Sequence, residues 1–265
     1  MRALAEMPAA LRRRIKVVLS DIDDTMTHDG RLPAASHAAM EALQASGRVV
    51  IPVTGRPAGW CDLIARQWAV DAVVGENGAL YYRYDPAARQ MYRVYARADA
   101  QRAEDQQRLA SIAADVRHQV PASAIAADQP FRVTDLAVDF AEDVGPLPDR
   151  DIKTIAEIFA THGATAKVSS IHVNGWFGQH DKLSMTRRLL SEIFSVDIER
   201  DNSACLFIGD SPNDGPMFSY FENSVGVANV QDFTAHMTAF PKWVTTGRTA
   251  DGFAEAARII LADGE

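Results

Sequence analysis

Lys16-Val17-Val18-Leu19-Ser20-Asp21-Ile22-Asp23-Asp24-Thr25 is the stretch that decides the fold. Its first half is short, apolar and rich in β-branched residues, which reads as a buried strand, whereas its second half holds acids that a buried strand does not carry. The strand therefore opens into a loop bearing three carboxylates, and chemistry is expected at that carboxyl end.

The same pattern recurs downstream. Pro33 and Ser36 introduce a helix with Met40 and Leu43 on one face, and Gly47 ends it. Residues 48–53 form the next strand, closed by Thr54-Gly55-Arg56, and a helix starts near Pro57 with Trp60, Leu63, Ile64 and Trp68 as its apolar stripe. A strand at 71–74 then runs into Gly75-Glu76-Asn77-Gly78. This βαβαβ rhythm predicts parallel strands with right-handed helical crossovers and a ligand site at the strands' carboxyl ends.

After Gly78 the rhythm changes. Residues 79–84 and 90–95 read as paired strands around an Asp85-Pro86 turn, and a polar helix follows over 99–118. A strand near 136–140, a helix near 150–162 and strands at 164–169 and 171–177 complete an α+β section. The β/α pattern resumes with a helix from Lys182, a strand at 204–208, the loop Gly209-Asp210-Ser211-Pro212-Asn213-Asp214, strands at 225–227 and 243–245, and a last helix to Leu261. The expected fold class is α/β: a Rossmann-like parallel sheet with helices on both faces, made of residues 1–86 and 179–265, plus an inserted α+β domain over 87–178.

The chain has 265 residues, 47% hydrophobic and 23% charged, enough for a full core. A net charge of -8 argues against a nucleic-acid surface, which needs clustered Lys and Arg, so a small ligand is expected as partner. Cys61 and Cys205 lie in apolar segments far apart, which suits buried free thiols in a reducing compartment. With no signal-peptide pattern and no membrane-length apolar run, a cytoplasmic location is the expectation. Neither a Gly-x-x-x-x-Gly-Lys-Ser/Thr segment nor a His-Glu-x-x-His pattern occurs, which disfavours a P-loop nucleotide enzyme and a zinc hydrolase.

Single acids at strand-to-helix junctions commonly just cap helices. Two acidic loops that meet are different, because like charges ~4 Å apart repel by ~4 kcal/mol at an effective dielectric near 20. A cation must compensate, and oxygen donors without His or Cys favour Mg²⁺.

In order and spacing these segments resemble the haloacid dehalogenase superfamily, the aspartate-nucleophile phosphohydrolases. Asp21-Ile22-Asp23-Asp24-Thr25 matches its first motif, Thr54 its second, Lys182 its third, and Gly209 to Asp214 its fourth. The long insertion between the second and third motifs, just after Glu76-Asn77-Gly78, resembles the subgroup with a C2-type cap, the sucrose-phosphate phosphatase and Cof-like group. The resemblance implies Asp21 as nucleophile and Asp23 as general acid and base. Thr54, with the neighbouring Gly55 and Arg56, would hold the phosphoryl group, and Lys182 would neutralise its charge. Asp210, a carboxylate oxygen of Asp21 and the carbonyl of Asp23 would bind Mg²⁺, while Asn213 and Asp214 position the metal's waters or Lys182. Asp24 stands where many relatives have glycine and reads as a turn cap. The substrate implied is a small phosphate ester, sugar-like in this subgroup.

His172, Asn174 and Trp176 alternate along one strand and so share a face, which could offer hydrogen bonds and a stacking surface to a sugar if the cap closes over the loops. Asn77-Gly78 needs no more than a turn or hinge role. Two other functions fit the same residues: a sugar-phosphate phosphotransferase or mutase, and a non-catalytic binding module.

Overall fold

The apolar run of the quoted segment is a strand in the computed structural model, which describes residues 1–169 and 171–262. In chain order the strands are β1 (Arg2–Ala3), β2 (Val17–Ser20), β3 (Val49–Pro52), β4 (Val73–Gly75), β5 (Leu80–Asp85), β6 (Gln90–Tyr95), β7 (Ala124–Ile125), β8 (Asp135–Asp139), β9 (Thr165–Val168), β10 (His172–Trp176), β11 (Cys205–Gly209), β12 (Asn223–Gly226) and β13 (Trp243–Val244). The helices are α1 (Ala9–Arg12), α2 (Ala34–Ala45), α3 (Ala58–Gln67), α4 (Asp99–Gln119), α5 (Asp149–Thr161), α6 (Lys182–Phe194), α7 (Gly215–Tyr220) and α8 (Thr249–Leu261).

Six strands form a parallel sheet in the order β1-β13-β12-β11-β2-β3. The register aligns Ile208, Ser20 and Pro52 across β11, β2 and β3, so the loops carrying Asp210, Asp21 and Thr54 leave the sheet side by side. Alternation along β2 sends Val18 into the apolar layer under α2, α3 and α8, while Val17 and Leu19 face α6 and α7. Both faces are thus covered, as a parallel sheet requires.

The hairpin β5-β6 pairs with β4, which continues the core sheet through a bridge between Val53 and Val74. Tyr82, Tyr84, Met91 and Tyr95 pack into the core layer. This corrects the boundary expected at residue 87: the Asp85-Pro86 turn lies inside a core hairpin, and the inserted unit begins with α4.

The cap is an antiparallel sheet, β7-β8-β10-β9, with α4 and α5 on one face. Leu109, Ile112, Ala113 and Val116 give α4 its apolar stripe, and they pack with Ile155, Ile158 and Phe159 of α5 against Leu136, Val138 and Val173. Gly175 permits this packing, since a Cβ there would lie 2.1 Å from the Phe159 ring. The opposite face carries Asp135, Asp139, His172, Asn174 and Trp176, all of them buried.

Helix α3 departs from expectation. Trp60 and Leu63 are exposed, at 40% and 49%, and the buried face is Ala58, Cys61, Ile64 and Ala65. The small residues let α3 press onto Gly75, where a Cβ would meet Cys61 Sγ at 2.4 Å. Trp60 instead lies under the Arg56 guanidinium, 4.5 Å from ring centroid to Cζ. Both cysteines are buried free thiols. Among the described residues, no helix is long and apolar enough to cross a membrane.

Candidate active site

Asp21 follows β2 directly, and its backbone N–H donates to Ile208 O at 2.9 Å, which ties the loop to β11. The chain then turns sharply: Asp24 has φ +54, a left-handed conformation that explains why glycine suits this position. The Asp24 N–H donates to Thr27 Oγ1.

Lys182 opens α6 and is buried. Its ammonium donates to Asp21 Oδ1 and Asp214 Oδ1, each at 2.8 Å. A cation in the first turn opposes the helix dipole, and Asp181 offsets this by accepting from the Ser184 N–H as N-cap. The two carboxylates hold the Lys182 pKa above its usual value despite burial. The other Asp214 oxygen accepts from the Asp210 N–H at 3.1 Å. Asp214 therefore locks the fourth loop to the lysine.

Oxygen atoms of Asp21, Asp210 and Asp214 all lie within 4.8 Å of one another. Burial pushes the Asp21 carboxyl up to about 7, with Lys182 opposing and Asp214 and Asp23 reinforcing the rise. Burial, Asp214 and Asp21 drive Asp210 well above the carboxylate range. One lysine cannot balance three buried carboxylates. The all-oxygen donor set and its excess negative charge fit a hard divalent cation.

Asn213 lines the cavity, but its Oδ1 accepts from the Ser211 hydroxyl at 2.8 Å. Asn229, which no sequence pattern singled out, donates to Asp210 Oδ2 and to the Asp24 carbonyl, joining the two acidic loops. Thr54 is fully buried, and its hydroxyl oxygen accepts from the Arg56 N–H at 3.0 Å, leaving its proton for another acceptor.

Arg56 holds Asp23. Its Nε and Nη2 bond the carboxylate at 2.8–3.0 Å in a two-pronged fork. Its Nη1 reaches Glu142 of the cap at 3.1 Å, and His172 Nε2 lies 2.9 Å from the other Glu142 oxygen without aligning as a hydrogen bond. His172 and Arg56 together bring the Glu142 pKa down to about 2. Asn174 donates to Asp135, which is clasped by Arg132, and Arg132 also donates to the Gly55 carbonyl.

The sequence places Arg56 and Glu76-Asn77 near the mouth of the site, but not the bonding of this seam between cap and core, whose centre is Glu76. That carboxylate is fully buried and accepts from the N–H groups of Ala58, Val133 and Thr134 and from the Thr134 hydroxyl. Burial and Asp135 push its pKa up to about 7. Glu76, Asn77 and Gly78 are three successive residues with positive φ. At Gly78 a Cβ would sit 1.9 Å from the Asp181 carbonyl oxygen, so the turn packs directly on the start of α6.

The groups converge on a cavity of about 40 Å³. Asp21, Asp23, Gly55, Arg56, Asn77, Asp210, Ser211 and Asn213 line it from the core, and Arg132, Ser169, Ile171, His172 and Asn174 from the cap. Trp176, the third residue of the alternating face, lines a neighbouring cavity instead.

The family model of haloacid dehalogenase-like hydrolases matches residues 18–107 and 179–256. The chain belongs to that family of hydrolases, and its inserted sheet gives it the fold of a capped member. A protein of Thermoplasma acidophilum superposes with a TM-score of 0.69 at 16% identity, covering 94% of this chain and 99% of its own. A HAD/COF-like hydrolase of Plasmodium vivax gives 0.66 at 19% identity, with 95% and 99% covered. The sucrose-phosphatase of Synechocystis sp. PCC6803, solved with sucrose and phosphate, gives 0.63 at 16% identity, with 92% and 97% covered. A search of curated proteins finds no significant match.

Proposed function

We propose that the protein is a Mg²⁺-dependent phosphomonoester hydrolase that passes the phosphoryl group of a small, sugar-like phosphate ester to water through Asp21. The observation that carries this reading is the buried Asp21-Lys182-Asp214 contact beside Asp210. Family membership and a sucrose-phosphatase among the structural neighbours support it.

In this reading Asp21 attacks phosphorus with the oxygen not held by Lys182, forming an aspartyl-phosphate and splitting the displacement in two. Asp23 gives a proton to the leaving oxygen and later takes one from the attacking water. Lys182, the Thr54 hydroxyl and the backbone beside Gly55 stabilise charge on the phosphoryl oxygens. Asp21, Asp210 and the Asp23 carbonyl would hold the cation, with Asp214 and Asn213 around them; when bound it supplies further charge neutralisation for the phosphoryl group. Arg56, His172 and Asn174 close the site toward the leaving group and exclude water.

The test is phosphate release from p-nitrophenyl phosphate with Mg²⁺ by the wild type and Asp21→Asn, together with mass spectrometry of the trapped enzyme. Phosphate on Asp21 and loss of turnover in the variant are expected. A variant that still turns over would sink the assignment.

A further inference from the structure

Asp210 is bonded differently from the acids beside it. Lys182 pairs with Asp21 and Asp214, whereas among the described residues no ion pair reaches Asp210. Its carboxylate is met instead by two neutral donors, the Thr25 hydroxyl 3.4 Å from Oδ1 and the Asn229 amide 3.3 Å from Oδ2. Neutral donors orient a carboxylate and leave its charge for a cation, where a lysine or arginine would compete for the same oxygens.

Asn229 owes its place to the sheet. β12 runs beside β11, and just past its end the Val227 N–H donates to the Gly209 carbonyl and the Ala228 N–H to the Gly247 carbonyl, each at 3.0 Å. Asn229 comes next and is buried, where it bonds the loops of both β11 and β2. Thr249, at the start of α8, fixes its orientation through a backbone N–H that reaches Asn229 Oδ1 at 2.8 Å. A backbone N–H can only donate, so the side-chain oxygen must face it, and the NH₂ must then point at Asp210 and at the Asp24 carbonyl 3.0 Å away. Thr249 itself has φ +49, a costly conformation for a β-branched residue and one that persists where its surroundings hold it in place.

Building on the hydrolase reading, we infer that Asn229, oriented by Thr249, is a positioning residue of the cation site and makes that site selective for Mg²⁺. One amide ties the Asp210 carboxylate to the residue after Asp23, so the carboxylate and the Asp23 carbonyl, both of which would bind the ion, are held relative to each other. Mg²⁺ demands near-ideal octahedral geometry, whereas Ca²⁺ accepts irregular sets of oxygens. A site set in advance favours the stricter ion.

Calorimetric titration with Mg²⁺ and with Ca²⁺, without substrate, tests this on the wild type and Asn229→Ala. Mg²⁺ affinity is expected to fall about 10- to 100-fold, the usual effect of removing a partner of a metal ligand, while Ca²⁺ affinity falls less than about threefold. A melt in EDTA reports whether the variant is folded. If it is not, Asn229→Ser, which keeps one donor, carries the same comparison with an expected Mg²⁺ loss of about 3- to 10-fold. Mg²⁺ affinity within about twofold of the wild type, equal losses for the two ions, as general loosening would give, or a wild type that binds no Mg²⁺ overturns the inference. Wild-type enzyme that releases no phosphate from p-nitrophenyl phosphate while the ion selectivity holds would instead reject the hydrolase reading and leave the role of Asn229 standing.

Discussion

Arg56 Nη1 lies 3.1 Å from Glu142, so the guanidinium that forks onto Asp23 also touches the cap. A lysine cannot span both partners, because it is a point charge without a planar fork. Arg56→Lys is expected to lower kcat/KM about 10- to 100-fold with Tm nearly unchanged. Steady-state kinetics beside a thermal melt check this, and wild-type activity in the variant would contradict the bridge.

The three clustered carboxylates predict a stability linked to divalent cation. Mg²⁺ is expected to raise Tm in proportion to its saturation of the site. Asp210→Asn should abolish that rise and, in EDTA, melt no lower than the wild type because it removes repulsion. Differential scanning calorimetry with and without EDTA gives the answer.

Among the described residues, Lys182 is the single cation bonded to Asp21 and Asp214. Lys182→Met leaves both acids buried and uncompensated, a loss expected near 3–5 kcal/mol. Urea denaturation would show it, and Asp214→Asn in the same chain should recover part of the loss.

His180 gives the pH dependence a sign. Its folded pKa, about 4, lies below the ordinary 6.5, so between those values the unfolded chain binds the extra proton. Its contribution is complete above pH 6.5 and is lost as pH falls toward 4, by about 1–3 kcal/mol. His180→Gln should flatten this part of the stability curve, measured by denaturation between pH 4 and 8.

Gly175→Ala would drive a methyl group into Phe159 and is expected to cost the cap about 1–3 kcal/mol. Hydrogen exchange should speed up in β8 and β10 while β2 and β11 keep their protection. Uniform acceleration would mean that cap and core unfold as one unit.

The core was legible in sequence because Asp21 and Asp210 interrupt apolar strands, a break that periodicity cannot hide. Thr54 and Lys182 were found by their order between these loops, and the structure brings all four loops to one sheet edge. Trp60 and Leu63 misled because periodicity weighs size, whereas α3 needs small residues to reach Gly75. The β5-β6 hairpin was split between units because a turn signal does not say which sheet its strands join. Glu76 and Glu142 carry no local spacing, since Glu76 meets Val133 57 residues away and Glu142 meets Arg56 86 residues away, while Arg132 pairs locally with Asp128 and Asp135 but reaches the core only at the Gly55 carbonyl.

Glu76, Asn77 and Gly78 also make a mechanical element. The left-handed turn is strained at its two non-glycine residues, and the Glu76 carboxylate that holds it in place takes three of its hydrogen bonds from the cap segment at Val133 and Thr134. The cap bonds add to those the turn makes with the core at Thr54, Arg56 and Ala58, and together they fix Asn77, which walls both cavities. The turn is a latch: one carboxylate docks the cap and shapes the wall of the cavity at once.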